Sequence, residues 1–206
     1  MEIDRFVVTP FSVNCYVIRD SGEALVIDPG EAPPELLEAL AGYTVRTIVD
    51  THGHCDHCGG NAALLKAVPG AELAGHEADL PLLRAIVSQG EMFGVPFPPS
   101  PDPTRLLRDG DTVEVGRLAL DVVHVPGHSP GHIMLRGDGF VFSGDVLFVG
   151  SIGRTDLPGG DQDELLDSIR TKLFTLPDGT HVYCGHGPDT TIGAERTTNP
   201  FLRGLP

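Results

Sequence analysis

The sequence carries one dense run of side chains able to bind metal, His52-Gly53-His54-Cys55-Asp56-His57, set directly after the apolar run Thr47-Ile48-Val49. Imidazole nitrogen and carboxylate oxygen are zinc-type donors, also used by iron and manganese, and an ion needs several of them from different segments. His52 and His54, two apart in an extended loop, can point to one side. Asp56 and His57 follow as a helix begins and cannot easily serve the same ion in the same geometry, which suggests two adjacent metals. Three more donors stand where other apolar runs end: His128 after Val122 to Val125, Asp145 after Phe140-Val141-Phe142, and His186 after His181-Val182-Tyr183. The seven donors His52, His54, Asp56, His57, His128, Asp145 and His186 give each of two ions four protein ligands if Asp145 bridges them. A shared hydroxide would complete both shells. The expected cofactor is therefore a pair of divalent ions, zinc first, with iron or manganese as the other candidates.

The other histidines, His76, His124, His132 and His181, lack such spacing and read as surface or core residues. Cys55 and Cys58 form a Cys-x-x-Cys inside the histidine run, but using them as ligands would turn His54 and Asp56 away, and no second paired-cysteine motif exists. Free thiols are expected at all four cysteines, with Cys184, two residues before His186, a candidate for a supporting contact.

These donors need elements that bring four loops to one place. Val7-Val8, Cys15 to Ile18 and Leu25 to Ile27 read as a β-meander, and Pro33-Pro34-Glu35 starts a helix because proline suits a first helical turn. A strand is expected at Val45 to Val49, a helix from about Asp56 to Ala67, and a weaker helix around Ala78 to Ser88. The five prolines of residues 94–103 exclude helix and central strand there. This loop reads as a connection, with a lid or contact surface bearing Met92, Phe93 and Phe97 as the alternative. Leu118 to Val125 and Phe140 to Phe142 read as strands, and Asp161 opens a last amphipathic helix through Leu173. If the donor-bearing strands are neighbours, their ends gather the site at one edge of the sheets.

A length of 206 residues favours one domain spanning the whole chain, and 40% apolar residues exclude disorder as its main state. The net charge of −15, with twelve Arg and two Lys scattered, argues against nucleic acid and anionic membrane partners. No run reaches the roughly 20 apolar residues of a membrane span, and the start lacks the h-region of a signal peptide, so the expected location is cytoplasmic.

The donor pattern across residues 52–186 resembles that of the metallo-β-lactamase superfamily, which implies an α/β fold: an αββα sandwich of two mixed sheets flanked by helices. Gly144-Asp145-Val146-Leu147-Phe148 resembles glyoxalase II, the hydroxyacylglutathione hydrolases, where zinc-dependent lactamases place a cysteine. Gly150 to Asp156, Gly185-His186-Gly187-Pro188 and Thr191 to Arg196 resemble the short bacterial glyoxalase-II-like hydrolases. The implied function is hydrolysis of a small-molecule acyl thioester, such as hydroxyacylglutathione, by a metal-bridging hydroxide, with Asp56 also orienting the nucleophile. Arg154 matches a basic position of glyoxalase II and is implied to hold a substrate carboxylate. Pro188 stands where glyoxalase II has a tyrosine that touches glutathione, and only 20 residues follow His186 where the family carries a basic helical domain. The resemblance thus leaves the carrier thiol open. Gly153-Arg154-Thr155-Asp156 also resembles the persulfide dioxygenases, which would use His52, His128 and Asp145 as a triad for one non-haem iron. A non-catalytic metal-binding scaffold is the third alternative.

Overall fold

Strands buried on both faces alternate their apolar side chains between two cores, and here that alternation builds a four-layered molecule. In a computed structural model of the chain, which describes residues 1–205, β1 (Glu2–Val8), β2 (Val13–Asp20) and β3 (Glu23–Ile27) form the expected antiparallel meander. β4 (Thr44–Val49), β5 (Glu72–His76) and β6 (Arg105–Leu107) continue it in parallel, in the order β1-β2-β3-β4-β5-β6. The second sheet contains β7 (Thr112–Val115), β8 (Leu118–His124), β9 (Ile133–Gly137), β10 (Phe140–Gly144), β13 (His181–Cys184) and β14 (Thr190–Thr191), ordered β14-β13-β10-β9-β8-β7. Only β10 and β13 run parallel in it, so both sheets are mixed. A short ribbon, β11 (Leu147–Phe148) with β12 (Ser151–Ile152), projects beyond β10.

Tyr16, Ile18, Leu25 and Ile27 face Leu120, Val122, Leu135 and Phe142 across the sandwich, while Cys15, Val17, Ala24 and Val26 point outward. The outward residues pack under α1 (Pro34–Ala39) and α3 (Asn61–Ala67) through Leu36 and Leu64. On the far side Val123, Met134 and Val141 pack under α6 (Gln162–Ser168) and α7 (Ile192–Thr198) through Leu165 and Ile192. Asp161 caps α6, its carboxylate accepting from the Glu164 N–H at 3.0 Å.

Two expected helices are broken. The segment from Asp56 to Ala67 splits into α2 (Cys55–Cys58) and α3, because Gly59-Gly60 passes so close to the loop after β3 that a Cβ on Gly60 would collide with the Pro29 carbonyl, to which the Gly60 N–H donates at 2.7 Å. The segment around Ala78 to Ser88 is a 3₁₀ turn, then α4 (Leu80–Arg84) and α5 (Ile86–Phe93), separated at Ala85, whose N–H turns to Leu82. Met92 and Phe93 therefore end α5 instead of lying in the proline-rich loop, and Phe97 alone of the three is buried. Among the described residues, no helix is long and apolar enough to cross a membrane.

Candidate metal centre

The carboxyl ends of β4, β8, β10 and β13 meet at one edge of the sandwich, and the segments leaving them, with Asp56 and His57 in α2, carry all seven predicted donors. Gly144 makes the approach feasible at Asp145: its φ of +50° suits a residue without Cβ, and a side chain there would strike Thr51 and His132. Donor atoms of His52, His54 and His128 converge in one group, those of His52, His57 and Asp145 in a second, and those of Asp56, His57 and His186 in a third. His54 Nδ1 lies 2.9 Å from His128 Nε2, which is 3.2 Å from His52 Nε2. Across the cluster His57 Nε2 is 3.3 Å from His186 Nε2, and His186 Nε2 is 3.4 Å from Asp56 Oδ2. Asp145 stands between, one oxygen 3.5 Å from His57 Nε2 and the other 3.7 Å from His128 Nε2 and 3.4 Å from His186 Nε2.

The donor set fits a cation. Asp145 Oδ1 is buried and accepts no hydrogen bond, although His57 Nε2 lies 3.5 Å from it. Four of the histidines direct the nitrogen away from the cluster toward an acceptor: His52 Nδ1 to Thr51 Oγ1 at 3.1 Å, His57 Nδ1 to Asp28 Oδ2 at 3.0 Å though out of hydrogen-bond line, His128 Nδ1 to the Arg154 carbonyl at 2.7 Å, and His186 Nδ1 to the Phe11 carbonyl at 3.0 Å. Such contacts fix the tautomer that leaves the other nitrogen free for an ion.

Burial, reinforced by neighbouring imidazoles, holds His52 well below its ordinary range and pushes His54 down to about 3. The opposite balance holds at His57 and His186. Burial opposes their protonation, yet the surrounding carboxylates, Asp145 foremost, outweigh it and raise His57 well above its usual range and His186 to about 9. Burial likewise works to raise Asp145, but His57 and His186 prevail and hold it well below the usual carboxylate range.

Three supporting residues escape a reading for ligand spacing. Asp28, at a left-handed φ of 53°, accepts from the Thr51 N–H at 2.7 Å and the Thr51 hydroxyl at 2.8 Å while facing His57. Asp79 accepts from the Gly53 N–H at 2.8 Å, the Ser129 hydroxyl at 2.6 Å and the Gly131 N–H at 2.5 Å, so it clamps the first donor loop to the His128 loop. His132 is fully buried, stacked on His52 with centroids 4.8 Å apart, and accepts from the Asp145 N–H at 3.0 Å. His76 and His124 stack on each other, and His181 pairs with Asp189.

All four cysteines are free and buried. The Cys58 thiol donates to the His52 carbonyl at 3.1 Å, and the Cys184 side chain packs in the outer core under α6 and α7, so its sulfur gives the donors no support. Arg154 lines the cavity above the donors, but its guanidinium already makes two bonds of 2.8 Å to Asp156. That cavity, about 500 Å³, lies between α4–α5 on one side and the segment from Phe148 to Pro158 on the other, with His54, Asp56, Asp145 and His186 at its floor.

The family model of the metallo-beta-lactamase superfamily matches residues 8–186. A Haemophilus influenzae protein named hydroxyacylglutathione hydrolase GloC is 39% identical, with 98% of each chain covered. Among solved structures, TTHA1623 in a di-iron-bound form superposes with a TM-score of 0.88 at 38% identity, covering 97% of this chain and 100% of that one. BLEG-1, described as a B3 metallo-beta-lactamase, gives 0.90 at 36% identity and 98% and 100% coverage. ETHE1 from Myxococcus xanthus gives 0.76 at 30% identity and 97% and 84% coverage. With its donor loops at one edge of an αββα sandwich, the chain belongs to the metallo-beta-lactamase superfamily.

Proposed function

We propose that the protein is a two-metal hydrolase of acyl thioesters, hydroxyacylglutathione among them. The observation that carries the two-ion reading is Asp145, whose two oxygens face donors of both halves of the cluster. His52, His54 and His128 would hold one ion, Asp56, His57 and His186 the other, and Asp145 both. When bound, such ions supply a water acidified to ionise near neutral pH and a Lewis acid for an acyl carbonyl. Asp56 reaches the cavity floor and orients the attacking water. His128 is kept in register by the Arg154 carbonyl and His186 by the Phe11 carbonyl. Water adds to the acyl carbon, the C–S bond breaks, and the departing thiolate takes up a proton, yielding a carboxylic acid and a thiol. Arg154 binds a substrate carboxylate by exchanging Asp156, a trade that costs little because exposed ion pairs contribute roughly 0–1 kcal/mol.

The metal-loaded protein should release free thiol from S-lactoylglutathione or another acyl thioester without oxygen. No thiol from any acyl thioester at full metal occupancy would refute the reading. The rival, a persulfide dioxygenase with one iron on His52, His128 and Asp145, draws on the likeness to ETHE1 and on the 3.7 Å approach of Asp145 to His128. Oxygen uptake with glutathione persulfide, without thioester cleavage, would establish it.

A further inference from the structure

The two walls of the cavity over the donors differ in kind. One side is formed by Phe11 with Leu82 and Ala85 of the α4–α5 junction and Met92 and Phe93 at the end of α5. The polar side chains on this wall are committed elsewhere. Gln89 accepts from the Cys55 N–H at 2.9 Å and donates to the Leu82 carbonyl at 2.8 Å and the Gly53 carbonyl at 3.2 Å, and the Ser88 hydroxyl donates to the Ala85 carbonyl at 2.8 Å. Met92 and Phe93 are 69% and 44% exposed, with the Phe93 ring set edge-on to Phe11 at 5.6 Å. An exposed apolar face of this kind, continuous with a reactive centre, is favourably covered by an apolar group. The facing wall carries Arg154, the cavity's one arginine or lysine.

We infer that the α5 wall binds an unbranched aliphatic acyl chain, which makes the protein selective for fatty acyl thioesters over 2-hydroxyacyl ones; this rests on the thioesterase reading. A 2-hydroxyl turned to this wall would exchange water for a face that is mainly carbon, where the Gln89 amide N–H groups and the Ser88 O–H are already spent on backbone carbonyls. Each added methylene, by contrast, leaves water for contact with Leu82, Met92 or Phe93.

The test uses N-acetylcysteamine, a small neutral thiol, so that the acyl group alone varies. The metal-loaded protein is assayed with its acetyl, butanoyl, hexanoyl and lactoyl thioesters. In parallel, the S-(2-oxopropyl) and S-(2-oxoheptyl) thioethers, which cannot be hydrolysed, are titrated by calorimetry. The expected result is a rise in kcat/KM of about two- to fourfold per methylene, lactoyl turned over more slowly than butanoyl, and the longer thioether bound more tightly by at least about tenfold. The double variant Met92→Ser, Phe93→Ser, altered at exposed positions, should flatten the chain-length series. Equal kcat/KM from acetyl to hexanoyl, with equal thioether affinities, would overturn the acyl site while leaving a thioesterase. Preferential binding of the longer thioether with no thioester cleaved would keep the apolar site and overturn the thioesterase.

Discussion

The two halves of the donor cluster solve opposite electrostatic problems. His52, His54 and His128 are buried, with relative exposures of 2%, 7% and 2%, and burial drives all three toward the neutral form. They present lone pairs that a cation can take directly. Asp56, His57 and His186 gather around carboxylates, with Asp28 behind His57, and there the negative charge holds protons on the two imidazoles. A cation entering this half must displace them. Asp145 touches both halves, so a single residue couples a buried, neutral site to one rich in charge.

The largest effect should come from removing that coupling. Asp145→Ala deletes donor atoms from both halves and should abolish turnover and lower total bound metal, whereas His186→Ala should weaken the metal of its own half and retain the other. Elemental analysis of both variants after equal dialysis checks the difference, and equal metal loss would break the division into halves. Next is Asp79→Asn, which disturbs only the clamp between the Gly53 loop and the His128 loop. Losing charge-assisted bonds there should destabilise the metal-free protein by about 3 kcal/mol, read from urea unfolding, and should loosen the metal of the His52, His54 and His128 half first.

The protons supply a finer test. His186 is held at about 9 in the metal-free protein, so below that pH it carries a proton that a cation must expel. Metal affinity of that half should therefore rise with pH up to at least about 9, because His57 is also held protonated there. The other half, with His54 at about 3, should stay flat over the same range. Calorimetric titrations in buffers of different ionisation enthalpy count the released protons: at least one at pH 7 for one ion, none for the other. The smallest effect is expected at Arg154→Ala, which should raise KM for an anionic thioester roughly tenfold, spare a neutral thioester and leave metal content unchanged. Equal losses on both substrates would assign Arg154 to loop structure, through the carbonyl that receives His128.

The seven donors are legible because spacing and the ends of apolar runs are local properties, and the strands that gather them follow from the same alternation. Asp28 was within reach of that logic: Leu25-Val26-Ile27 ends in Asp28 as the other runs end in their donors. Its part nonetheless depends on Thr51, 23 residues away, and on an unusual backbone angle. Asp79 has no local signal, since its three partners lie 26, 50 and 52 residues distant. The break between α2 and α3 is equally tertiary in origin, set by the approach of Pro29 to Gly60. The pairing of Arg154 with Asp156 was visible in the sequence two residues on, but a motif names a position without naming its partner.

The central claim is that the two halves hold one ion each. Protein purified without added metal should be loaded with zinc, iron or manganese, freed of excess, and analysed for metal per chain alongside its rate of thioester cleavage. Two ions per chain are expected in the active protein, with activity lost as the second is removed. Full activity at one ion per chain would contradict the two-ion centre.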